Sequence, residues 1–267
     1  MKHLKAVIFD WAGTLVDHGS LAPMGAFVEA FAQFGVEVTI AEARGPMGMA
    51  KRPHIAALFA LPRVVEAWTA KHGRKPTQAD IDALYDVFVP MNIASAARHA
   101  TLIPGVAQIV GQLRGLGLKI GSTTGYTREI MAQILPHAAA QGFAPDNLVC
   151  TGDTAEGRPT PLMVYRTLLD LGVWPAWNIV KVDDTEVGIA EGLNAGAWTV
   201  GVAVSGNVFG LSREETEALS QQEFERRRAD AVDKLTAAGA HYVIDSVADL
   251  MSVIHAVEGH LAQGERP

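Results

Sequence analysis

Cysteine is almost absent from this chain. Its 267 residues include one, Cys150, so no internal disulfide can form and a reducing, cytoplasmic setting is expected. It stands in a Leu-Val-Cys-Thr run with the look of a strand, which suits core filler better than a reactive thiol. Long apolar runs are missing too: nothing approaches the ~20 residues of a membrane helix. The first apolar run ends in Asp10, so no secretory leader is expected. Positive charge is scarce. With 22 Lys and Arg against 29 Asp and Glu, the net charge of −7 argues against nucleic acid or an anionic membrane as a partner. A small anion in a locally positive pocket stays compatible with it.

Apolar residues are plentiful, at 49% against 19% charged, which is ample for a real core. The run Ala6–Phe9 reads as a buried strand delivering Asp10 to its carboxyl end, ahead of a turn with Gly13 and Thr14. In open α/β sheets that edge is where chemistry collects, and a carboxylate there can attack phosphorus or hold a hard cation. Capping a turn is the plainer alternative.

Helical periodicity then runs from about His18 to His99. Phe27, Ala30, Phe31 and Phe34 share a face that Gly35 closes, Thr39 and Glu42 have capping-box spacing, one segment starts near Pro53, and another follows Thr77 with Pro90 as a kink. From Pro104 strands and helices alternate, with strands at 118–123, 148–151, 178–183, 198–202 and 242–244. This predicts a doubly wound parallel α/β sheet, residues 1–17 and 101–267, interrupted by a helical cap over 18–100. The charged stretch 212–238 reads as helix with a solvated face.

Four further segments could carry chemistry. Gly-Ser-Thr-Thr-Gly-Tyr-Thr at 121–127 ends a strand and opens a helix, so Thr124 and Gly125 could bind an anion, or the segment could be a plain N-cap. Arg158, before a proline-rich first turn, suits a phosphoryl oxygen or the open surface. Asp183 and Asp184 end another strand. Neighbouring strand residues point oppositely, so Asp184 is expected on a metal, favouring Mg²⁺, and Asp183 in hydrogen bonds behind it; Asp184 could also only cap a helix. Lys51 and His54 can share a helix face. If that helix starts near Arg52, its positive end lowers the Lys51 pKa and frees the amine to attack a carbonyl, although such pairs are common on surfaces.

Together the segments Val-Ile-Phe-Asp-Trp-Ala-Gly-Thr, Glu-Ala-Arg-Gly-Pro-Met-Gly-Met-Ala-Lys-Arg-Pro-His-Ile, Lys-Ile-Gly-Ser-Thr-Thr-Gly-Tyr-Thr-Arg-Glu, Gly-Arg-Pro-Thr-Pro and Glu-Gly-Leu-Asn-Ala-Gly-Ala-Trp-Thr-Val-Gly-Val resemble the phosphonatase family of the haloacid dehalogenase superfamily, up to about Gly210. The resemblance implies a hydrolase that breaks the phosphorus–carbon bond of phosphonoacetaldehyde. It makes Asp10 the nucleophile and Lys51 the Schiff-base residue, with Mg²⁺ on Asp10, the Ala12 carbonyl and Asp184. It puts phosphate on Thr124, Gly125 and Arg158, and Met47, His54 and Tyr126 around the reacting groups, with Asp183 and Thr14 behind the metal ligands. A homodimer is implied, and the helix with Phe27 and Phe31 is the expected partner face. Ala12 departs from the superfamily's usual second aspartate, the acid/base group a phosphate monoesterase or phosphomutase uses. A non-catalytic phosphate binder is the other alternative, but it would have lost Asp10 or Asp184. Further departures are Pro53, Leu162 and Gly188, the last where many superfamily members are acidic.

Overall fold

Four consecutive apolar residues without a polar partner have no face to show to water, and Ala6–Phe9 forms a fully buried central strand, β1. The structure, a computed structural model, describes residues 1–267. Five helices follow β1: α1 (Ala22–Gln33), α2 (Ile40–Arg44), α3 (Lys51–Phe59), α4 (Pro62–His72) and α5 (Gln78–Arg98). Helices and strands then alternate: α6 (Val106–Gly115), β2 (Lys119–Thr124), α7 (Arg128–Ala140), β3 (Val149–Cys150), α8 (Leu162–Leu171), β4 (Ile179–Asp183), α9 (Glu186–Ala195), β5 (Trp198–Val202), α10 (Arg213–Glu217), α11 (Gln221–Ala237), β6 (Tyr242–Ile244) and α12 (Leu250–Ala262).

The strands make one sheet in the order β3-β2-β1-β4-β5-β6, every neighbouring pair parallel. The order reverses at β1, so the crevice outside β1, β2 and β4 is the sheet's switch point, where ligands of such folds bind. Alternate residues of β1 feed opposite faces: Val7 and Phe9 join a core with Trp11, Val182 and Val253, while Ala6 and Ile8 pack with Val164, Leu168 and Ile179.

Helices α1–α5 enclose a cluster of their own around Phe27, Phe31, Ile55, Leu58, Trp68 and Phe88. Their ends follow local chemistry. Capping boxes at Thr39–Glu42 and Thr77–Asp80 satisfy the first amides of α2 and α5, and Gly73 ends α4 in the left-handed conformation. Pro90 lies inside α5, which runs on past it. Two expectations are adjusted. Helix α4 was not anticipated, because only Val64 and Trp68 of its residues are buried and so narrow a stripe scarcely shows in the sequence. The side chains of Phe27 and Phe31 cannot themselves meet a partner, being fully buried within the helical cluster; the side of α1 left open carries Gly25, Val28 and Glu29.

Candidate active site

Asp10 directly follows β1, and its N–H donates to the Val182 carbonyl at 3.0 Å, which fixes it beside the end of β4. There Asp183 closes the strand and Asp184 opens the turn. All three carboxylates are buried, with one oxygen of each within 4.8 Å of the others. Glycine makes the approach possible. At Gly13 (φ +81°) an added Cβ would lie 2.1 Å from the Asp184 Oδ2 atom.

The two neighbouring aspartates are treated differently, as their opposed directions on a strand require. Asp183 accepts from Lys181 Nζ at 2.6 Å and from the Thr185 N–H and hydroxyl at 3.1 and 2.8 Å, and Arg158 stands 3.3 Å away. Burial pushes its carboxyl up, but the charges of Arg158 and Lys181 outweigh that, so it titrates below its ordinary range. Asp184 accepts only from the Thr14 hydroxyl at 3.3 Å and the Asn207 N–H at 2.7 Å. Burial, then the charges of Asp10 and Asp183, drive its pKa well above the ordinary value. Burial and Asp183 raise Asp10 to about 6 against the pull of Arg158 and Lys181. Negative charge concentrated between Asp10 and Asp184, with too few cations facing it, is the donor set a hard divalent cation fits.

Arg158 supplies the positive counterpart. Its guanidinium reaches Asp10 Oδ1 at 2.8 Å, Glu191 Oε2 at 2.9 Å and the Thr123 carbonyl at 2.8 Å. Five fixed donors in one plane can span these acceptors, and an ammonium cannot. Glu191 also accepts from the Thr123 hydroxyl at 2.9 Å and lies 3.4 Å from Lys181. These fully buried residues were not anticipated: Lys181 and Glu191 sit in a strand and a helix where polar residues ordinarily read as solvated.

The helical layer contributes Lys51, the first residue of α3 and only 5% exposed. Its Nζ lies 5.0 Å from the Tyr126 ring centroid and 5.8 Å from that of Phe27. Burial, with the Arg158 charge adding to it and Asp10 opposing it, brings its pKa down from 10.5 to about 8. The direction is the expected one, and desolvation is its largest cause. His54 lies elsewhere than expected. It is stacked on Phe27 at 4.0 Å with Nε2 2.8 Å from the Ala43 carbonyl, behind the cavity wall, and burial holds its pKa well below the ordinary value.

One cavity brings together Asp10, Lys51, Thr124, Gly125, Tyr126 and Arg158, with Ala12 and Met47 also in its wall. Thr124 Oγ1 accepts from the Tyr126 N–H at 3.1 Å, an N-cap-like turn that faces the cavity. Asp184, Asp183 and Thr14 adjoin it from behind Asp10. Gly188 leaves no room for the acidic residue many superfamily members carry: a Cβ there would lie 1.9 Å from the Asp183 Cγ atom. Leu162, partly exposed at the start of α8, touches none of this.

A parallel sheet with buried aspartates at its switch point is the architecture of a haloacid dehalogenase-like hydrolase, and the model of that family matches residues 4–196. Over its whole length the chain is 69% identical to a phosphonoacetaldehyde hydrolase of Paraburkholderia xenovorans across 267 residues, all of both chains. It is 52% identical to one of Klebsiella pneumoniae across 269, again all of both. The crystal structure of a phosphonoacetaldehyde hydrolase-like protein from Oleispira antarctica superposes with a TM-score of 0.98 at 47% identity, over 99% of this chain and 96% of that one. A β-phosphoglucomutase structure from Bacteroides vulgatus, 20% identical with a TM-score of 0.68, shares the fold. The chain belongs to the phosphonoacetaldehyde hydrolase family of haloacid dehalogenase-like hydrolases.

Proposed function

We propose that the protein hydrolyses phosphonoacetaldehyde to acetaldehyde and phosphate through an imine at Lys51 and a phosphoryl group carried on Asp10. The observation that carries this is the meeting, in one cavity, of an amine with a pKa near 8 and a carboxylate held by an arginine. At position 12, where a monoesterase would keep its acid/base carboxylate, there is only a methyl group.

The chemistry follows from the bond to be broken. Heterolysis of a phosphorus–carbon bond leaves an electron pair on carbon, which an aldehyde alone stabilises poorly. The Lys51 amine condenses with the aldehyde, releasing water, and the resulting iminium accepts the pair as an enamine. Asp10 attacks phosphorus as the carbon leaves. Water then releases phosphate from Asp10, while protonation of the enamine carbon and hydrolysis of the imine return acetaldehyde and free Lys51. Thr124, Gly125 and Arg158 bind the phosphoryl oxygens. Tyr126 and Met47 wall the amine from water, which lowers its pKa and raises the share of free amine. Asp10, the Ala12 carbonyl and Asp184 would hold Mg²⁺, and when bound it would offset the charge building on the phosphoryl oxygens. His54 packs on Phe27 beneath Lys51, with its Nδ1 free of any hydrogen-bond partner, and no step above needs it.

In this reading residues 18–100 are a cap on the core formed by 1–17 and 101–267, and the enzyme is a cytoplasmic homodimer. The single cysteine and the family likeness support those two last points. The test is incubation with phosphonoacetaldehyde and Mg²⁺, following both products. Equal release of acetaldehyde and phosphate is expected. Faster turnover of phosphate monoesters, with no acetaldehyde formed, would refute it.

A further inference from the structure

We infer that Arg44 is a positioning residue: it seats the helical layer on the loop behind Asp184 and so holds Lys51 over the aspartates. Arg44 ends α2 and Lys51 begins α3, so they bracket a single loop. The half-buried guanidinium has no carboxylate partner within ion-pair distance. It donates instead from Nη1 to the Gly19 carbonyl at 2.8 Å, to the Asn207 carbonyl at 3.2 Å and to Asn207 Oδ1 at 3.0 Å, and from Nη2 to the Gly210 carbonyl at 2.8 Å. Every acceptor lies outside the helices α1–α5. Gly19 is on the connection from β1 into α1, and Asn207 and Gly210 are on the loop after β5.

That loop also touches the site. The Asn207 N–H donates to Asp184 Oδ2 at 2.7 Å, so the residue that receives Arg44 from one side orients a site carboxylate from the other. The Asn207 amide returns a longer bond, 3.4 Å, to the Arg44 carbonyl. Gly210, at φ +70°, leaves space for the guanidinium: a Cβ there would lie 2.8 Å from its Cζ and Nε. The far end of the same loop is equally close-fitting. A Cβ on Gly48 would come 2.4 Å from Thr185 Oγ1, and one on Gly125 would come 3.0 Å from the Gly48 and Met49 carbonyls. The chain from Arg44 to Lys51 is thus held at one end by the loop that carries Asn207 and Gly210 and at the other by Thr185 and Gly125, which line the cavity. A planar fork spans Gly19, Asn207 and Gly210 together, whereas a lysine ammonium could satisfy only part of the set.

The inference rests on the role proposed for Lys51, and its test has an arm that needs no substrate. Arg44→Ala and Arg44→Lys are compared with the parent protein by hydrogen exchange, thermal melting and kcat/KM with phosphonoacetaldehyde. In Arg44→Ala, exchange over residues 17–21 and 206–211 is expected to quicken about tenfold while the β1 and β4 strands stay protected. Its kcat/KM is expected to fall about 100-fold, the scale of a misplaced reacting group, and Arg44→Lys should recover part of both effects. A purely structural role would speed exchange throughout the molecule and lower the melting temperature, with kcat/KM of the folded fraction unchanged. That result would overturn the inference, and so would unchanged exchange in the two segments. If Arg44→Ala does not fold, Asn207→Ala removes one acceptor alone. The same local pattern, smaller, is expected there, and its absence is equally decisive. No turnover by the parent protein would count against the hydrolase reading alone, since the exchange arm stands without substrate.

Discussion

Arg158 Nε donates to Glu191 Oε2 at 2.9 Å beneath the cavity floor, while Nη1 of the same guanidinium reaches Asp10 at 2.8 Å. Both carboxylates are buried, so the arginine ties the nucleophile's position to a glutamate that no ligand reaches.

Lysine in place of Arg158 keeps the charge and loses the fork. Arg158→Lys is expected to lower kcat/KM by about 100- to 1,000-fold with the fold retained. Glu191→Ala should act on stability instead, costing about 3–5 kcal/mol because Lys181 and Arg158 lose a buried partner. Denaturant melts and steady-state kinetics on the two variants separate these effects.

Lys51 is held against its own charge. The folded chain favours the neutral amine, with a pKa near 8 against the ordinary 10.5. Between those values the unfolded chain binds more protons, so this group's contribution to stability rises as pH increases through the window, and below about pH 8 the full penalty is present. Lys51→Met is therefore expected to be inactive yet about 3 kcal/mol more stable at pH 7, the gain fading by about pH 10.5. Melts across that range check it. In the parent enzyme kcat/KM should climb as pH approaches 8 and the amine becomes free.

The unbalanced charge at Asp184 makes a third expectation. Mg²⁺ at about 100 times its dissociation constant should stabilise the parent protein by about 2.7 kcal/mol. Asp184→Asn should lose that response and, without metal, melt above the parent, since burial and two negative neighbours already disfavour the carboxylate. Chelation should stop phosphate release while leaving imine formation at Lys51, which uses only the amine.

Gly188 bears on the departure from the superfamily pattern. With Asp183 filling the space where a Cβ would sit, Gly188→Asp is expected to displace that carboxylate from Lys181 and Arg158. A loss of about 1–3 kcal/mol from overpacking, and more from the buried like charge, should appear in thermal melts.

Much of the architecture was legible in short-range patterns. Ala6–Phe9 is an uninterrupted apolar stretch followed at once by a carboxylate, and Ile179–Asp183 is one broken only by Lys181, which is close to what a doubly covered parallel strand looks like in one dimension. The Thr39–Glu42 box and Gly35 mark helix ends through chemistry that acts within a few residues. What stayed hidden depends on residues far apart in the chain. Lys181 and Glu191 are polar in elements where polar usually means wet, and only the arrival of Arg158 from another loop explains their burial. Arg44 resembles any helix-ending arginine until Asn207 and Gly210 fold against it. His54 shares the expected helix with Lys51, but helical spacing could not say that Phe27 would cover it. Nor could an apolar stripe tell whether Phe31 meets its own layer or a second subunit.

The pairing of Lys51 with Asp10 is tested most directly by trapping. Enzyme is incubated with phosphonoacetaldehyde and borohydride, digested, and its peptides are analysed by mass spectrometry. The expected result is an ethyl group on Lys51 and on no other lysine, absent from Lys51→Arg, which should also release no phosphate. An unmodified Lys51, with Lys51→Arg still releasing phosphate from the same substrate, would contradict it.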